Sequence, residues 1–148
     1  MKKTLIIGYG NPLRGDDGIG WVAARELLER YAAHRELEVL TEHQLTPELA
    51  VEMPRFERVI LIDAGIEGKP GNVECQRIDT GLQPPQSISH HLSPQSLLVL
   101  AQECYQANPE AYLITITGEN FGYVESLSET INHSLQKVYQ MIEDLLSD

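Results

Sequence analysis

Asp16 and Asp17 stand side by side within Gly8-Tyr9-Gly10-Asn11-Pro12-Leu13-Arg14-Gly15-Asp16-Asp17-Gly18-Ile19-Gly20. A third carboxylate, Asp63, closes the apolar run Val59-Ile60-Leu61-Ile62, and two imidazoles, His90 and His91, sit in a Pro- and Ser-rich stretch. Carboxylate oxygens and imidazole nitrogen without thiolate suit a borderline divalent cation such as zinc or nickel. Each group also has a plainer reading. An acid at a helix N-terminus is a cap, an Asp before Gly65 is a turn former, and a histidine pair in a loop is commonly solvated. Capping needs only one of the two acids and leaves the five glycines around them unexplained.

Other chemistries fit less well. Gly8 and Gly10 after a short strand suggest a tight turn, but a dinucleotide fingerprint needs a further glycine where this chain has Leu13. The two acids that follow would repel a pyrophosphate. There is no nucleophile elbow, and neither Cys75 nor Cys104 lies near the acids in sequence, so an activated serine or cysteine has no support. The cysteines lack metal-type spacing and read as reduced, half-buried thiols of a cytoplasmic protein. A net charge of −11 over 148 residues disfavours nucleic acid and anionic membranes as partners. No segment approaches the apolar length of a membrane span, and Met1-Lys2-Lys3 leads straight into a buried-type strand rather than a secretory signal.

The elements that must position these groups alternate. Leu5-Ile6-Ile7 is a strand. Ile19, Trp21-Val22-Ala23, Leu27-Leu28 and Tyr31 recur at helical spacing to about His34. Leu37 to Thr41 is a strand, and Thr46-Pro47 reads as the N-cap and first position of a short helix ending near Met53-Pro54. Arg58 to Gly65 reads as a central strand covered on both faces. After the turn Gly68-Lys69-Pro70-Gly71, Asn72 to Ile78 alternates as an edge or antiparallel strand would. Ser93-Pro94 repeats the capping signature ahead of Leu97-Leu98, Leu100-Ala101 and Tyr105, and Ala111 to Gly118 is a further strand. A last helix from about Ser126 carries Leu127, Ile131, Leu135, Val138, Ile142 and Leu145-Leu146 on one face. One domain over residues 1–148 is expected, an α/β/α sandwich with a twisted, mostly parallel sheet of about five strands. Right-handed crossovers would then bring every strand-to-helix loop to the carboxyl edge, where such sheets bind ligands. That edge would gather Asp17, Asp63 and the His90-His91 loop.

The glycine-rich stretch, Val59-Ile60-Leu61-Ile62-Asp63-Ala64-Gly65 with Gly68-Lys69-Pro70-Gly71, and Ser89-His90-His91-Leu92-Ser93 together resemble the hydrogenase maturation endopeptidases. The resemblance runs over essentially the whole chain and keeps the order of elements. It implies a twisted sheet between helices. It also implies removal of a short C-terminal extension from the large-subunit precursor of a nickel–iron hydrogenase, after nickel has been inserted. The family's metal-contacting groups fall on Asp17, Asp63 and His90, with His91 as the alternative histidine. Nickel, carried by the precursor rather than held permanently, is the implied metal, and a monomer is expected. Many members carry an Asp-Gly-Gly-Thr-like turn where this chain has Glu42-His43-Gln44-Leu45. The segment His43 to Leu49 instead resembles the subgroup that serves bidirectional, NAD-linked hydrogenases. Two rival readings of the same residues are a zinc-dependent small-molecule hydrolase and a non-enzymatic nickel or hydrogenase assembly chaperone.

Overall fold

The computed structural model describes residues 1–80 and 92–147. Its strands are β1 (Thr4–Tyr9), β2 (Leu37–Glu42), β3 (Arg58–Gly65), β4 (Val73–Ile78) and β5 (Glu110–Thr117). Its α-helices are α1 (Ile19–Arg30), α2 (Leu49–Glu52), α3 (Pro94–Tyr105) and α4 (Glu129–Leu146), with 3-10 turns at Gly15–Gly18 and Met53–Arg55. The strands form one sheet in the order β2-β1-β3-β5-β4, parallel throughout except for β4, which runs antiparallel to β5.

Strand alternation divides the core in two. Ile6, Ile60, Ile62, Ile114 and Ile116 face α1 and α4, where Ile19, Ala23, Leu27, Ile131, Leu135, Val138 and Ile142 cover them. Leu5, Ile7, Val59, Leu61 and Ala111 face the other way, onto Leu49, Ala50 and Met53 around α2 and onto Leu97, Leu98 and Ala101 of α3. The expected sandwich is therefore present, with β3 central and covered on both sides. Each wholly buried Leu or Ile stabilises this arrangement by about 1.5–3 kcal/mol relative to exposure.

The chain order and the sheet order differ at one place that matters for function. From β1 the chain crosses to β2 on one side, whereas β3 lies on β1's other side. The carboxyl ends of β1 and β3 thus flank a topological switch point, where the loops part and leave a crevice.

Several local expectations are corrected. The second helix starts at Leu49, not at Thr46-Pro47: Leu49 N–H, Ala50 N–H and Val51 N–H bond three residues back to Thr46, Pro47 and Glu48, a tight first turn that delays the helix. The first helix stops at Arg30 rather than His34. Ser93 does cap α3, accepting from Ser96 N–H at 3.1 Å, and Gln106 ends it in the left-handed region (φ 54°). Cys75 and Cys104 are exposed rather than half-buried. The exit from β4 also departs from the expected rule. Because β4 is antiparallel, Ile78 pairs with Ala111 near the start of β5, so the chain leaves β4 at the amino edge of the sheet. There Gln95 Nε2 of α3 donates to the Asp79 carbonyl at 3.0 Å. No helix among the described residues is long and apolar enough to cross a membrane.

Candidate functional site

The glycine-rich stretch brings α1 unusually close to the sheet. A Cβ on Gly8 would collide with the Gly20 carbonyl, and one on Gly20 would lie 2.7 Å from the Ile62 carbonyl oxygen and from Tyr9 N. Only hydrogen at both positions lets the start of α1 press against the ends of β1 and β3. Gly10 adopts φ 139° and turns the chain across the carbonyl of Asp17, where a side chain would have no room. The glycines therefore deliver the Gly15–Gly18 turn, with both acids, onto the switch point.

The two adjacent acids then part company. Asp16 is wholly buried and caps nothing in its own turn. Its carboxylate reaches across to the loop between β5 and α4. It accepts from Glu119 N–H (2.7 Å), Asn120 N–H (2.8 Å), Ser128 N–H (2.8 Å) and the Ser128 hydroxyl (2.9 Å). Burial pushes this carboxyl up, but the hydrogen bonds from Ser128, Asn120 and Glu119 outweigh it and leave its pKa below the ordinary value. The same loop is held at three further points, by Gly15 N–H to the Val124 carbonyl (2.7 Å), Asp16 N–H to the Asn120 carbonyl (2.8 Å) and Arg14 Nε to the Phe121 carbonyl (2.9 Å). Asp16 is a strut between two loops.

Asp17 is half-buried and accepts Asn11 N–H on Oδ2 at 2.8 Å. Asp63, two residues before the end of β3, is also half-buried. The Tyr9 hydroxyl and the Ala64 amide lie beside its carboxylate. Burial raises its pKa to about 6 against the polar influence of Tyr9 and Ala64, and the negative charge of Asp17 pushes the same way as burial. Two of the three expected residues are thus brought together: Asp17 and Asp63 sense one another's charge at the switch point. His90 and His91 lie outside the described residues.

Tyr9 is the member of this site that the sequence reading passed over. Burial foremost, then the neighbouring Asp63 carboxylate, raise its hydroxyl well above the usual phenol range, so it remains neutral. The signal for it is strand alternation: Leu5, Ile7 and Tyr9 share one face of β1, and Val59, Leu61 and Asp63 share the same face of β3. The pairing of Gly8 with Ile62 puts Tyr9 beside Asp63 only once β1 and β3 are known to be neighbours.

Chemically, the edge offers two carboxylate groups and a neutral phenol, with the Asp63 carboxylate poised to trade a proton near neutrality or to accept a cation. Among the described residues there is no group of three or more His, Cys, Asp or Glu able to hold a metal ion. Asp17 and Asp63 alone fit a cation that arrives with ligands of its own better than a resident zinc, which takes three or four protein ligands.

No family model matches the chain, and no curated protein matches it. Solved structures do. The hydrogenase maturating endopeptidase HybD from E. coli superposes with a TM-score of 0.77 at 20% identity, covering 97% of this chain and 91% of that one. The [NiFe] hydrogenase maturation protease HycI from Thermococcus kodakarensis gives 0.77 at 23% identity, covering 99% and 94%. A hydrogenase 2 maturation peptidase from a Thaumarchaeota archaeon gives 0.73 at 23% identity, covering 99% of each chain. Over nearly its whole length, this chain has the fold of solved hydrogenase maturation peptidases.

Proposed function

We propose that this protein is an endopeptidase that removes the C-terminal extension of a nickel–iron hydrogenase large-subunit precursor after nickel insertion. The observation that carries the reading is the meeting of Asp17 and Asp63 at the switch point of a fold shared, end to end, with solved hydrogenase maturation peptidases. Nickel belongs to the substrate in this reading. A metal already ligated in the precursor needs only open positions filled, and two carboxylates supply them; an empty precursor offers nothing for the pair to grip. Metal insertion thereby becomes the precondition for cleavage, with His90, or His91 beside it, as the nitrogen donor. The motifs quoted above and the segment His43 to Leu49 favour a precursor of the bidirectional, NAD-linked type.

The experiment is incubation of the protein with nickel-loaded and nickel-free precursor, followed by the mass of the precursor C-terminus. Loss of a C-terminal fragment from the loaded form alone is expected. Asp17→Asn and Asp63→Asn should each reduce cleavage by more than the roughly 10–100-fold that losing an outer partner of a metal site costs. His90→Ala and His91→Ala identify the histidine, since only one of them should be inactive. Binding without cutting would make the protein an assembly chaperone. Cleavage of nickel-free precursor at the same rate would refute nickel sensing.

A further inference from the structure

Leu13 and Arg14 lie in the loop after β1, Tyr123 and Val124 in the loop after β5, and the two loops are fastened to each other. Arg14 Nε donates to the Phe121 carbonyl at 2.9 Å and Gly15 N–H to the Val124 carbonyl at 2.7 Å. Buried Asp16 holds the same loop through Glu119, Asn120 and Ser128. The Tyr123 ring is laid on the Arg14 guanidinium, whose central carbon is 4.5 Å from the ring centroid. The loop after β3 joins them. Gly118 N–H donates to the Gly65 carbonyl at 2.9 Å and the Thr117 hydroxyl to the Glu67 carbonyl at 2.8 Å, pinning the backbone on either side of Ile66. Despite this anchoring the apolar side chains stay in water: Tyr123 is 87% exposed, Ile66 81%, Leu13 52% and Val124 44%.

Single exposed apolar side chains are ordinary on a folded surface, whereas a gathering of them on fixed loops marks a contact surface. The other exposed large apolar side chains among the described residues are dispersed over α1, α2, α3 and the N-terminus. The gathering is continuous with the candidate site, since Leu13 and Arg14 shortly precede Asp17 and Ile66 shortly follows Asp63. A polypeptide brought to the two carboxylates therefore passes against it. Exposed Glu67, Glu119 and Glu125 stand in the same loops, with Lys69 and Arg14 as the basic groups, so the edge is acidic. A second copy of this chain would set acid against acid; the complementary surface is apolar with a basic rim. We infer that Leu13, Ile66, Tyr123 and Val124 form a pre-ordered lip that docks the metal-bearing face of the precursor, an apolar surface edged by Lys or Arg. The lip rests on the endopeptidase reading above. Its loops are already fastened, so docking costs little further ordering, and the stacked aromatic Tyr123 is its main anchor.

The test is steady-state cleavage of nickel-loaded precursor by the full chain over a range of precursor concentrations, with melting temperatures taken in parallel. Wild type is compared with Tyr123→Ser, Leu13→Ser, Val124→Ser and Leu28→Ser. Leu28 is the exposed apolar control: α1 begins at the carboxyl edge, and Leu28 lies near its other end. Lost docking raises KM and leaves kcat alone. Tyr123→Ser should raise KM by about 10-fold or more, and Leu13→Ser and Val124→Ser by about threefold each, because aromatic anchors outweigh aliphatic contacts. Tyr123→Phe keeps the ring and should restore the wild-type KM. Unchanged KM in the lip variants overturns the lip and leaves the endopeptidase reading standing. An equal rise in Leu28→Ser also overturns it, as does a fall in kcat at unchanged KM. A wild-type dimer that Tyr123→Ser dissociates at unchanged KM assigns the lip to a second copy and overturns the proposal. Wild type that cleaves no loaded precursor refutes the endopeptidase reading, and the lip falls with it.

Discussion

The two ends of the same sheet handle carboxylates in opposite ways. At the amino edge, Glu110 at the start of β5 accepts from the Tyr112 hydroxyl (2.8 Å), Lys2 Nζ (3.2 Å), the buried Arg58 Nε (3.2 Å) and Arg77 Nη1 (3.3 Å). The Tyr112 hydrogen bond, with those from Arg58 and Lys2, overcomes burial and holds Glu110 down at about 2. At the carboxyl edge Asp63 has no basic partner, only a phenol and an amide beside it and an acid for a neighbour, and sits at about 6. The first charge is satisfied within the fold and the second is left in deficit. A fold tolerates such a deficit where something from outside completes it, which is why the acidic pair, rather than the richer ion-pair network, marks the candidate site.

Asp16 and Asp17 repeat the contrast over a single peptide bond, and the largest stability effect should fall on the one that does no chemistry. Asp16→Asn places an NH2 group where backbone donors point. Unmet buried N–H groups cost about 1–3 kcal/mol each, so urea unfolding should show a loss of about 2–4 kcal/mol. A loss below about 1 kcal/mol would return Asp16 to the rank of an ordinary cap.

The next prediction turns on sign. A carboxyl whose folded pKa is raised costs stability from the pH at which it ionises in the unfolded state, and the cost grows until it ionises in the folded state as well. Asp63, raised from 3.8 to about 6, contributes nothing below pH 4 and progressively destabilises the fold as pH rises to 6. Asp63→Asn keeps the size of the side chain and removes that cost. Relative to wild type it should gain about 1–3 kcal/mol between pH 4 and pH 7, in equilibrium unfolding at each pH, while processing is lost. Asp16 and Glu110, both lowered, run the other way: their contributions are present at neutral pH and fade as pH falls through their folded values. A gain for Asp63→Asn that is the same at pH 4 and pH 7 would show that its charge is not the cause.

The smallest effect is expected at Glu110→Gln. Lys2 and Arg77 are substantially exposed, so their pairings contribute little, and the loss should be about 1 kcal/mol, mostly through Arg58. It should shrink further in salt, and precursor processing should be unchanged. Impaired processing in Glu110→Gln would mean that the two ends of the sheet are not independent.

Much of this was legible from residue types in order. The run Val59 to Ile62 marks a strand buried on both faces, Ser93-Pro94 marks the start of α3, and the 3.6-residue spacing from Ile131 to Leu146 marks the apolar face of α4. These are local consequences of backbone geometry and burial, and neighbouring residues are enough to state them. The glycines and acids of Gly8–Gly20, with Asp63, could also be picked out, since few stretches combine a close backbone approach with uncompensated charge. What neighbouring residues could not supply was pairing. That Asp16 would leave its own turn to hold Ser128, and that Tyr9 would reach Asp63, depends on β1 lying beside β3 and on β5 feeding a loop back over the first turn. Likewise, only the antiparallel pairing of β4 sends the chain towards α3 from the amino edge. Sheet order and strand direction are set by how whole helices cover the two faces, a sum over the entire core. No single stretch encodes that sum, and so the role of Asp16 was decided by a loop more than a hundred residues away.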